Sequence, residues 1–246
     1  MEKSEELKRH EIDVERHTRG GILSKVILGG QDGIVNVLGV LLGVATATGD
    51  ARVVVIAGVA TAVTESVSML AVAYTSARAQ EDYYRSQLER EEREIREIPE
   101  IEREEVRHIY HRKGFRGEEL ERVVAQITSD PVVWRDVMMA EELGLEKAAP
   151  GTAVREAMIV GVSVVVGSIF PLVPFLLSLP QVGVLGLRTA AIISCATSVG
   201  VLGAAGWVKA VFTTGSRVRS ALEMALVGGL AALLSYVIGR LLGVAV

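Results

Sequence analysis

Two pairs of glutamates set the chemistry open to this chain. Glu91 and Glu94 stand three apart, as do Glu102 and Glu105, so in a helical segment each pair shows two carboxylates on one face. Pro99 lies between the pairs, and a turn there folds the two faces together. Four converging carboxylates repel one another unless a cation sits among them, and paired helical carboxylates are how helical bundles hold di-iron and related centres. Met138, Met139 and Glu142 follow later in the chain. Met138 and Glu142 are one turn apart, so a thioether and a carboxylate can share a face. Mixed oxygen and sulfur donors suit Fe²⁺, or a neighbour such as Mn²⁺ or Co²⁺, better than Mg²⁺ or Ca²⁺. Plainer readings stand beside this one. The glutamates are interleaved with arginines at pairing distance, as on a solvated face, and methionines ordinarily pack cores.

Two further acids lie in apolar surroundings, Asp32 in GGQDGIVN and Glu65 in TAVTESVSML. At the centre of a bilayer each costs about 2.5 to 3.5 kcal/mol on insertion scales, so such residues usually line a path or a polar cavity. Asp32 and Asn36 are four apart, and so are Thr61, Glu65 and Met69, which gives each segment a polar stripe with a metal-ligating atom. Placement near the interface is the alternative for Asp32, about ten residues inside its run.

The elements that must position these residues are apolar runs. Ile22–Thr48, Val53–Ala77, Val154–Leu179, Val182–Phe212 and Leu222–Val246 each hold the ~20 apolar residues of a membrane-spanning helix. The first lies behind a polar stretch and is too long for a signal peptide. Gly49-Asp50-Ala51-Arg52 is a tight turn, so the first two spans form a hairpin. The predicted fold is an all-α membrane protein with five transmembrane helices and a helical metal-binding domain inserted between helices two and three. Its parts are an N-terminal segment (1–21), helices one and two (22–77), the acidic domain (78–150) and helices three to five (151–246). Lys and Arg cluster before span one and between spans four and five, which puts the N-terminus and the acidic domain in the cytoplasm and the C-terminus outside. An odd number of spans excludes a simple inverted repeat. Within the acidic domain, Arg78–Glu97 continues span two as a helix, supported by Glu89/Arg93 and Glu92/Arg96 spacings. Helices over Glu100–Arg112, Gly117–Thr128 and Pro131–Leu143 follow. Gly29/Gly33 and Gly39/Gly43 are small-xxx-small pairs that could set span one against its copy in a dimer, and Pro171 and Pro174 should bend span three.

Half of the 246 residues are hydrophobic and mean hydropathy is +0.37, yet 19 of the 30 acidic residues fall between Gln80 and Lys147. The net charge of −4 is therefore the sum of unlike regions and offers nothing to a nucleic acid. One cysteine, Cys195, excludes an intrachain disulfide and a cysteine-based zinc site. His10, His17, His108 and His111 have no metal-ligand spacing, and there is no nucleophile elbow, P-loop or HExxH, so no enzyme is expected. A membrane-anchored ferroxidase, or a metal store or sensor, would be the competing use of the glutamates.

QDGIVN, SVSML with AVAYTS and DYY, EREEREIREIPEIEREEV, VWRDVMMAEELGLEK and IFPLVPF occur in this order over nearly the whole length. In these motifs the chain resembles the vacuolar iron transporter family. The resemblance implies a homodimer of five-helix protomers with the path between them, and a cytoplasmic domain continuing helix two. It places metal-binding carboxylates on Glu91, Glu94, Glu102 and Glu105, further ligands on Met138, Met139 and Glu142, and path residues on Asp32 and Met69. Where members of eukaryotic type carry a path glutamate this chain has Thr61, and its carboxylate is Glu65, one turn away on the same face. The implied activity is export of Fe²⁺ from the cytosol in exchange for protons, with Mn²⁺, Co²⁺ or Zn²⁺ as further candidate ions. Few Asn and many Glu and Arg lean toward a thermophilic prokaryote, whose copy would sit in the cell membrane.

Overall fold

The structure is a computed structural model that describes residues 2–145, 151–213 and 215–243, and of residues 2–20 the backbone only. All its regular elements among the described residues are helices: α1 (Glu2–Thr48), α2 (Ala51–Glu97), α3 (Pro99–Arg112), α4 (Gly117–Thr128), α5 (Pro131–Glu141), α6 (Thr152–Leu176), α7 (Leu187–Phe212) and α8 (Arg217–Leu242). Five are long and apolar enough to cross a membrane: Gly21–Thr48 within α1, and α2, α6, α7 and α8. The chain is a multi-pass membrane protein. The side chains of the basic residues expected before span one, and Glu146-Lys147 of the acidic motif, lie outside the described residues.

Contacts divide the chain into two units, residues 1–74 with 154–246, and residues 75–153. In the apolar unit α1 ends where Gly49 turns left-handed at φ 67°, a conformation that favours glycine. Asp50 then caps α2, its carboxylate accepting the backbone N–H groups of Arg52 at 2.8 Å and Val53 at 3.4 Å. These two residues make the predicted hairpin. A core of Val37, Leu38, Leu41, Val54 and Phe175 joins α1, α2 and α6.

Three expectations need correction in this unit. The glycines of α1 are occupied within the protomer. A Cβ on Gly29 or Gly33 would meet the carbonyls of Val160 and Val164 on α6 at 2.4 and 2.3 Å, and Gly39 and Gly43 stand against Ser235 of α8. Their small size lets these helices approach each other, so they are not free to seat a second copy of span one. Span four starts at Leu187 instead of Val182, because Gly183 is left-handed at φ 63° and Leu185 N–H closes back on Leu177 C=O at 3.1 Å. The last span begins at Arg217, earlier than Leu222. Pro171 and Pro174 lie inside α6, which continues through both to Leu176.

In the acidic unit, Ile98 alone separates α2 from α3, and Pro99 occupies the first turn of α3, where its missing N–H is not needed. Gly114, left-handed at φ 107°, closes the α3 end. Asp130 caps α5 by accepting from Val132 N–H at 2.8 Å. Val106 and Ile109 of α3, Leu120, Val124 and Ile127 of α4, and Trp134 of α5 form the core. Spacings of four and three put the α4 residues on one face, so a short helix is held by packing. Arg103 lies over the Trp134 ring at 5.8 Å, a cation–π contact at the rim of this core.

Candidate metal sites

Three elements of the acidic unit bring carboxylates together. Glu91 projects from α2, Glu102 from α3, and Glu142 from the C-cap of α5; one oxygen from each lies within 4.8 Å of the others. Two oxygens bound to one ion at ~2.2 Å are at most ~4.4 Å apart, so a small closure would let all three touch one cation. Glu91 and Glu102 are each only 3% exposed, and the Oε2 atom of each is buried with no hydrogen-bond partner. Buried carboxylates without partners are costly. Burial, then the charges of Glu142 and Glu94, pushes Glu91 up to about 7. Burial, then Glu105 and Glu91, does the same to Glu102, also to about 7. Glu142 is raised by burial and by Glu105 and Glu94. It also sits at the C-terminal end of α5, where helix carbonyls favour a cation.

The remaining glutamates of the set form an outer ring. Glu105 reaches Glu142 within hydrogen-bonding distance. Glu94 is held by Arg90 at 3.0 Å, and Arg90 also lowers the repulsion felt by Glu91 and Glu142. The two methionines part company. Met138 packs in the apolar core with Trp134 and Val106, whereas Met139 is buried (2% exposed) outside that core. Adjacent helical residues point about 100° apart, which is why they do not share one environment. His108 and His111 are exposed.

In the apolar unit a second group forms across the α1–α2 hairpin. Asn36 Nδ2 donates to Asp32 Oδ1 at 3.1 Å, and the Glu65 carboxyl is within hydrogen-bonding reach of both. The other Asp32 oxygen, Oδ2, is buried without a partner. Met69 is half-buried one turn along α2 from Glu65. Thr61 takes no part, because its hydroxyl donates to the Ala57 carbonyl of its own helix at 2.8 Å. The hairpin explains the pairing. Asp32 lies 17 residues before Gly49 and Glu65 lies 16 after it, so at 1.5 Å per residue both stand about 25 Å from the turn.

A model of the VIT family matches residues 23–240. The chain belongs to the VIT family. As a VIT family member it is 31% identical over 227 residues to Vacuolar iron transporter 1 of Arabidopsis thaliana, covering 92% of this chain and 88% of that one. It is 32% identical over 233 residues to Vacuolar iron transporter 1 of Oryza sativa subsp. japonica, with the same coverage. Protein CCC1 of Saccharomyces cerevisiae is 26% identical over 230 residues, 90% of this chain and 69% of that protein. These relatives are eukaryotic, so they lend no support to the prokaryotic source expected from composition.

Two features of the glutamate cluster were not read from the sequence. Arg90 bears on the central glutamates although only its partner Glu94 was singled out; the four-residue Arg90/Glu94 spacing was the available signal. Glu92 pairs with Arg135 of α5 at 2.8 Å, not with Arg96 four residues on. That bridge ties α5 to α2 beside the glutamate cluster, and spacing along one helix could not reveal it.

Proposed function

We propose that this chain is a divalent-metal transporter whose substrate is Fe²⁺, with Mn²⁺ as a second ion, and that it moves metal from the cytosol in exchange for protons. The observation that carries the reading is the convergence of Glu91, Glu102 and Glu142, two of them buried with an unpartnered oxygen. A divalent cation supplies the charge and the bonds these oxygens lack. The relatives named as iron transporters support iron as the cargo. Glu94, Glu105 and Met139 complete the ligand set as the cluster closes, and a soft thioether favours Fe²⁺ over Mg²⁺. Met138 holds the core in place.

Asp32, Asn36, Glu65 and Met69 are the path. The same carboxyl groups bind either a metal or protons, so competition between the two couples their movements. Glu65 takes the role that the family gives to a residue aligned with Thr61. The acidic unit is cytoplasmic in this reading, by the Lys and Arg bias of the flanking segments, and collects metal for export. The working form is a homodimer.

Anaerobic Fe²⁺ flux into proteoliposomes carrying a pH-sensitive dye tests this. Metal entry that moves protons the other way is the expected result. Absence of flux together with oxygen-dependent Fe²⁺ oxidation would instead make the glutamate cluster a ferroxidase centre.

A further inference from the structure

Away from both carboxylate groups, the apolar unit holds a groove of about 1120 Å³ walled by α1, α7 and α8. That exceeds the ~300–1,000 Å³ of ordinary small-molecule pockets. Its lining includes Gly49, just beyond α1, Arg188 in the first turn of α7, and Arg240 in the last turn of α8, so these three mark one end of the bundle. Deeper in, the walls are apolar, with Ala191 and Leu233 among them. No carboxylate lines the groove among the described residues. Arg188 and Arg240 are exposed, and among the described residues neither has an ion pair or hydrogen bond. The α7 N-terminus lines the same mouth, and its N-cap, Gly186, has no side chain to cap the free N–H groups. Two unpaired guanidinium groups and an uncapped helix N-terminus favour an anion. Tyr236, one turn before Arg240 on α8, lines the groove too, an amphipathic ring of the kind found at headgroup level.

The geometry points to a binding site for an anionic phospholipid, its phosphate held between Arg188 and Arg240 and an acyl chain lying along the α1, α7 and α8 walls. A positive mouth over an apolar floor at the end of membrane helices matches the charge and polarity of such a lipid from head to tail. A second copy of this chain fits worse. A two-fold contact here would bring four arginines together with no carboxylate among the described groove residues to meet them.

Native mass spectrometry of the full chain in detergent, with phosphatidylglycerol or phosphatidylcholine of identical acyl chains added, tests the site. The wild type retains phosphatidylglycerol and sheds phosphatidylcholine. Arg188→Gln with Arg240→Gln weakens phosphatidylglycerol retention about tenfold or more. Arg219→Gln, at the start of α8 and paired with Glu223, leaves retention unchanged. Equal retention of the two lipids by the wild type overturns the inference whether or not the double variant folds. So does undiminished phosphatidylglycerol retention by the folded double variant, and so does a lipid-free dimer that Arg188→Gln with Arg240→Gln dissociates, which would assign the groove to a second copy.

Discussion

Glu91 and Glu102 in the acidic unit, and Asp32 and Glu65 in the apolar unit, are each a pair of carboxyl groups from different helices, yet their surroundings differ. The first pair is nearly sealed from solvent and crowded by three more glutamates, and Arg90 tempers the repulsion at Glu91. The second pair is half-buried and shares one neutral amide, that of Asn36. Many acids crowded together make a place where a cation rests. Two acids and an amide make a place that a cation can leave, and that a proton can fill in its stead. In the proposed function, the difference corresponds to binding in the acidic unit and passage in the apolar one.

Removing the resting place has the largest effect. Glu91→Gln with Glu102→Gln should lower Fe²⁺ affinity of the full chain by more than about a hundredfold in anaerobic calorimetry, since even outer-shell losses cost 10–100-fold. Unchanged affinity would break the comparison at its first term. Next, Glu65→Gln should slow proteoliposome flux at least about tenfold while leaving that affinity within about twofold; Thr61→Ala should change neither, because its hydroxyl serves only its own helix.

A pH dependence follows from the acidic cluster. Glu91 and Glu102 titrate near 7 when folded, above the ordinary value of 4.5, so folding favours their protonated forms. The stability they give the metal-free protein is complete below pH 4.5 and is lost as pH rises through about 7. Bound metal reverses the sign, because it needs the ionised carboxylates. Thermal melts of the full chain with and without Mn²⁺ should therefore diverge as pH is raised from 5 to 8, and parallel melts would count against the cluster as a cation site. The methionines sharpen the same contrast with smaller effects. Met138→Leu should cost less than about 1.5 kcal/mol of stability and leave affinity alone. Met139→Leu should lower Fe²⁺ affinity severalfold and leave Mg²⁺ affinity unchanged, by the preference of thioethers for softer ions.

The spans were legible because a bilayer demands long apolar runs, and the bends at Gly49-Asp50 and Pro99 because capping and proline chemistry are local. The two glutamate pairs were legible because three-residue spacing is also local, within α2 for Glu91 and Glu94 and within α3 for Glu102 and Glu105. Contacts between elements distant in sequence were harder. Glu142 entered as a partner of Met138 on one helix, whereas its neighbours in space are Glu91, Glu102 and Glu105. The Asp32–Glu65 contact could have been derived by counting outward from Gly49, yet the two were read as separate stripes. The glycines of α1 misled because a small-residue stripe states only that something approaches closely. Here the neighbours are α6 and α8 of the same chain.

The division of labour is tested most directly by measuring Fe²⁺ binding and Fe²⁺ flux on the same preparations of Glu102→Gln and Asp32→Asn. Glu102→Gln should lose tight binding, and Asp32→Asn should bind as the wild type does but carry little metal across the bilayer. An Asp32→Asn protein that transports at the wild-type rate, or a Glu102→Gln protein that binds Fe²⁺ undiminished, would contradict it.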